Sequence, residues 1–84
     1  MAELRIDSGI ERYRITAYLE EELHLQKEQE GVYCMSGCTI TLETKVNSHA
    51  VLRIPRTLVT FSGEEEICRT MQYQFRLRFL SAGG

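Results

Sequence analysis

The stretch "ICRTMQYQFRLRFL", residues 67–80, constrains the chain most. Ile67, Met71, Tyr73, Phe75, Leu77 and Phe79 occupy odd positions, and Thr70, Gln72, Gln74, Arg76 and Arg78 occupy even ones. A period of two over such a length predicts a long strand with one face on a core and one in water, with Arg69 as the odd-position exception. "TLVTF" just upstream reads as its partner, and "SGEEE" between them supplies glycine and polar residues for a hairpin loop. The span 57–80 is thus expected to be a β-hairpin. "CTITLETKV" alternates again, with Ile40, Leu42 and Val46 opposite Thr39, Thr41, Glu43 and Lys45. "VNSHA" reads as a turn into a further strand, "AVLRI", and Pro55 places 54–56 at a bend or on a sheet edge, because proline lacks the ladder donor.

The stretch "ERYRITAYLEEELHLQKEQEG" supports two readings. Its composition from Ala17 to Glu30 favours helix, with Gly31 where a C-cap would stand. Its apolar residues Tyr13, Ile15, Ala17, Leu19, Leu23 and Leu25 nevertheless fall on odd positions, with Glu21 and Tyr18 as exceptions. At helical spacing Ile15, Tyr18, Leu19 and Leu23 form a stripe, interrupted by Glu22. We take tertiary pattern over propensity and expect strand. The fold class that follows is all-β: one domain over 1–84, an antiparallel meander of five or six strands, bent at Glu21 or at "MSGC" and closing as a small barrel or sandwich. The alternative is α+β, with one helix at about 16–30 packed on a four-stranded antiparallel sheet.

A chain of 84 residues holds one domain and little room for a deep cleft. Residues 1–42 carry a net charge of −4 and residues 43–84 carry +2, for a total of −2. An acidic balance gives no general attraction to nucleic acid or anionic lipid. No apolar run approaches the roughly 18 residues of a spanning helix, and "MAELRIDSG" lacks the apolar core of a secretory signal. Three cysteines, an odd number, suit a reducing compartment. The expectation is a cytoplasmic protein without a membrane segment.

Candidate chemistry is sparse. Cys34, Cys38 and Cys68 with His24 or His49 are residue types that bind zinc, but the spacing around "MSG" is not that of a zinc ribbon and the second cysteine pair is missing. The cysteines read as core residues and the histidines as solvated. The acidic runs Glu20–Glu22 and Glu64–Glu66 lack the spacing of a calcium loop. We therefore assign no catalytic residue, no metal and no cofactor, and expect no enzymatic activity. Arg76 and Arg78 share the solvent face of the expected last strand as a basic patch, while Tyr73, Phe75 and Phe79 fall on its opposite face. Arginines without a stacking platform make nucleic-acid binding a weak alternative.

The main functional expectation is a small non-catalytic interaction or regulatory module that presents a sheet edge or face to a protein partner, or to a second copy as a homodimer. The candidate edge is "AVLRIP", where Val51, Leu52 and Ile54 supply apolar contact and Arg53 and Arg56 attract an acidic partner.

The terminus supplies an alternative. "RFLSAGG" ends in Gly83 and Gly84. In its size, in an expected strand leading straight to the tail, and in Gly83 and Gly84 themselves, the chain resembles the ubiquitin-like sulfur carriers and modifiers. That resemblance implies a ββαββ order of elements, a helix near 17–30, and a tail at Gly83 and Gly84 whose carboxylate is adenylated by an activating enzyme.

Overall fold

A computed structural model describes residues 1–45 and 56–80. Strand β1 (Ala2–Ser8) is followed by helix α1 (Arg12–Ala17), which continues through Tyr18–Glu22 as a wider π-type turn. Strands β2 (Gln26–Gln29), β3 (Val32–Met35), β4 (Cys38–Lys45) and β5 (Arg56–Gly63) come next. Helix α2 (Glu65–Phe75) runs on through Arg76–Leu80, again with π-type winding. The five strands form one antiparallel sheet in the order β1-β5-β4-β3-β2.

The fold is therefore α+β, with two helices on one face of the sheet, and not the all-β barrel or sandwich expected. The α+β alternative matches better, differing in detail: among the described residues the sheet has five strands instead of four, and the first helical segment closes before residue 26. The resemblance implied ββαββ, whereas the order found among the described residues is βαββββα.

The decisive difference lies at 67–80. The slot beside β5 that a strand there would occupy is filled by β1, which pairs from Ala2↔Gly63 to Ser8↔Thr57. Within the apparent alternation, Ile67, Met71, Phe75 and Phe79 are spaced four apart, and Cys68 stands one turn before Met71 and two turns before Phe75. A helix brings these onto one stripe. Cys68, Met71 and Phe75 are buried, Ile67 and Phe79 pack against them, and Tyr73 is 62% exposed. "SGEEE" does not close a hairpin. Gly63 ends β5, Glu64 is the N-cap, and Glu65 and Glu66 occupy the first turn, where negative charge complements the exposed N–H groups.

The first helical segment uses the stripe Ile15, Tyr18 and Leu19, all buried. It ends where Leu23 N–H reaches Tyr18 O (3.0 Å), Leu25 N–H reaches Leu19 O (2.9 Å) and His24 takes a left-handed conformation (φ 54°). Residues 26–29 then run as strand, and Gly31 (φ 78°) belongs to the β2–β3 turn instead of capping a helix.

The strand reading of "CTITLETKV" holds over Cys38–Lys45. Cys38, Ile40 and Leu42 face the helices, and they are joined there by Val59 and Phe61 of β5 and by Ile6 of β1. The buried hydroxyls are satisfied: Thr57 Oγ1 donates to Ile10 O (2.8 Å) and Ser8 Oγ to Thr57 O (3.0 Å). Gly37 (φ 89°) sits in the two-residue β3–β4 turn, and any Cβ there would strike Ile67 Cδ1. Its carbonyl accepts Glu64 N–H (2.8 Å), so this glycine lets the start of α2 close against the sheet. Val46, "VNSHA", "AVLRI" and Pro55 lie outside the described residues.

Candidate functional site at the end of the second helix

Helix α2 delivers the chain to its terminus, and its last turns are fixed from two sides. Phe75 contacts Tyr18 (ring centroids 6.4 Å apart), Phe61 (6.1 Å) and Phe79 (4.9 Å), while Phe79 also meets Tyr18 edge-on at 5.2 Å. Aromatic pairs at such separations are favourable beyond the area they bury. Outside this cluster Arg78 reaches back to Glu22, with Nε donating at 3.0 and 3.1 Å and Nη2 at 2.9 Å. The guanidinium holds the Glu22 carboxyl below the usual carboxylate range, chiefly through these hydrogen bonds, and Glu22 raises Arg78 in turn. Arg14 and Arg78 both lie over the Phe79 ring, at 5.9 and 5.1 Å from its centroid. The result is a short basic, aromatic stem at the base of the terminal segment.

The expected basic patch is thus changed in kind. Arg76 and Arg78 are exposed residues of the helical end, and Arg78 is neutralised by Glu22. Tyr73 is separated from Phe75 and Phe79 and faces water. Gly83 and Gly84 lie outside the described residues, as do Val51, Leu52, Arg53 and Ile54. Arg56 is described: it opens β5, a strand flanked by β1 and β4, and its Nε and Nη2 both bind Asp7 of β1. The described edges of the sheet are β1 and β2.

The remaining candidates separate in space. Cys38 and Cys68 meet in the core with their Sγ atoms 3.6 Å apart, and burial together with the adjacent Cys68 thiol pushes the Cys38 thiol up to about 12. Cys34 is raised by burial and then by Glu28, so neither Cys34 nor Cys38 has the electropositive setting of a reactive thiolate. Among the described residues no three His, Cys, Asp or Glu side chains are grouped as metal ligands. His49 lies outside them. Glu20 accepts the Tyr33 hydroxyl; burial first, and that bond second, push the Tyr33 phenol up to about 12.

Sequence reasoning missed one feature. A groove of about 510 Å³ runs along α2, with Leu23, Leu25, Met35, Ile67 and Met71 as its apolar lining and Glu66, Thr70 and Gln74 as its polar one. The four-residue spacing of Ile67 and Met71 was the available signal, hidden inside the longer alternation.

Fold and stem together define a small helix-over-sheet domain whose second helical segment runs, among the described residues, to Leu80. The family model described as "Archaeal MoaD-like protein" matches residues 3–84, and the chain belongs to that family. No curated protein matches it. No helix among the described residues is long and apolar enough to cross a membrane.

Proposed function

We propose that this chain is a ubiquitin-like carrier or modifier that works through a C-terminal carboxylate at Gly84. The carrying observation is the family match, which runs to Gly84 and so includes the diglycine. The reading rests on family membership and on that tail, not on element order. The anchored stem around Phe75, Phe79 and Arg78 supports it, because a rigid base lets a short unbranched terminus enter a narrow active site without unfolding the domain.

The chain itself performs no catalysis in this scheme. An activating enzyme directs the Gly84 carboxylate oxygen onto the α-phosphorus of ATP, releasing pyrophosphate and leaving an acyl adenylate. Hydrosulfide then displaces AMP to give a thiocarboxylate, or a protein amine displaces it, losing a proton, to give an amide. Glycine suits both steps, since it has no side chain to obstruct approach at the carbonyl.

The test is affinity capture from native lysate supplied with ATP, using the chain tagged at Met1, followed by mass spectrometry of intact and bait-linked species. The complete chain is expected to retain an adenylating enzyme, or to gain covalent adducts or a mass change of oxygen replaced by sulfur. The chain lacking Gly83 and Gly84 is expected to do neither. Identical partners on both forms, without covalent change, would overturn the carrier reading and favour the non-catalytic interaction module. The groove beside α2 supports that second reading, since its lining combines the apolar Leu23, Leu25, Met35, Ile67 and Met71 with the polar Glu66, Thr70 and Gln74.

A further inference from the structure

The two edges of the sheet are protected unequally. β2 is four residues long, fully exposed and interrupted by a register shift between Lys27 and Gln29. Short, bulged, charged edges of this kind resist pairing with other chains. β1 is seven residues long, pairs continuously with β5 on one side, and contains neither proline nor bulge. Among the described residues nothing pairs with its outer side.

We propose that β1 pairs antiparallel with β1 of a second copy, in the register centred on Leu4, to give a dimer with one continuous ten-stranded sheet. Charge selects the register. On the face away from the helices β1 presents Glu3, Arg5 and Asp7. Centring the pair on Arg5 would oppose the two arginines and set each Glu3 against Asp7, which is repulsive throughout. Centring on Ile6 would set Arg5 against Asp7, but Asp7 is already held by two guanidinium nitrogens of Arg56. Centring on Leu4 sets each Glu3 opposite Arg5 of the other copy. Glu3 and Arg5 already pair within one strand at 3.1 Å, so the dyad would close a ring of four alternating charges. On the helix side the same register opposes Leu4 to Leu4 and Ala2 to Ile6. Leu4 is only half-buried in the single chain, and this contact would cover it.

Sedimentation equilibrium over a wide concentration range tests the proposal, with circular dichroism confirming that each variant is folded. The 84-residue chain should show a monomer–dimer equilibrium. Glu3→Arg and Arg5→Glu, both at exposed positions, should each weaken association by about tenfold or more, since opposed unlike charges become opposed like charges. The two variants mixed in equal amounts should form a heterodimer, and the double variant should dimerise again. Removing Gly83 and Gly84 should leave dimerisation unchanged, which separates this result from the fate of the carrier reading. A chain that stays monomeric throughout, a dimer indifferent to both reversals, or a mixture that fails to associate would each overturn the proposal.

Discussion

Glu22 and Arg78 show how one residue pair joins distant parts of the chain. They are 56 positions apart, and their ion pair ties the first helical segment to the end of the second. Both side chains are about half exposed, so the bond is open to salt screening and its gross strength is not its net worth. Arg78 lowers the Glu22 pKa in the folded state. The stability that follows is present above the ordinary carboxylate range and is lost as pH falls through the lowered value. Replacing Glu22→Gln should therefore give a slightly lower melting temperature at neutral pH, and the gap to the parent chain should close on acidification. Thermal melts at low ionic strength between neutral pH and pH about 3 measure this, and 1 M salt should shrink the gap. In the sequence Glu22 was only the residue that broke a helical stripe; the role of the break is visible once Arg78 stands beside it.

At the scale of elements, the period of residues 67–79 decides what each side chain does. A strand would place Tyr73 and Phe75 on the same buried face. The helix buries Phe75 to 1% exposure and leaves Tyr73 in water. Phe75→Ala should cost about 3–5 kcal/mol in urea unfolding, because it empties a site bounded by Tyr18, Phe61 and Phe79. Tyr73→Ala should change stability by about 0.5 kcal/mol or less, as exposed substitutions away from caps and networks do. Equal costs at the two positions would contradict the helix. The sequence did carry a helical signal here, in Glu65 and Glu66 behind Gly63 and in the spacing of Ile67, Met71, Phe75 and Phe79. Tyr73 and Leu77 obscured it, because two exposed apolar residues on odd positions are enough to imitate a strand.

At the scale of the whole molecule, the sheet and α2 are joined through the core, where Cys38 of β4 touches Cys68 of α2. Neither thiol can be reached without separating the two layers. The Cys38 thiol stands near 12, above its ordinary value of about 8.5, so its stabilising contribution is whole below that ordinary value and is lost as pH rises toward 12. Iodoacetamide at pH about 8 should therefore leave Cys38 and Cys68 unmodified in the folded chain, and their labelling should accelerate in step with urea-induced unfolding. Cys34, half-exposed on the opposite face of the sheet, should label without global opening. Mass spectrometry of peptides after timed quenching reads all three sites. Rapid labelling of Cys68 before unfolding would mean that α2 detaches independently of the sheet.

What the sequence determined alone was local. Alternation in "CTITLETKV" specified a strand and its buried face, "TLVTF" read as a strand, and the stripe Ile15, Tyr18, Leu19 and Leu23 already marks the first helical segment. The terminal diglycine carries the resemblance to ubiquitin-like carriers in the sequence alone, and the family match over residues 3–84 includes it. What tertiary structure decided was partnership. β1 and β5 pair across 49 to 61 positions, a partnership that the alternation within each segment does not name, and by taking the slot beside β5 it leaves residues 65–80 to bury their apolar side as a helix. Periodicity reports which side of an element is buried against the rest of the molecule. It does not report which element supplies the burial, and where two periods fit one stretch, the neighbours choose between them.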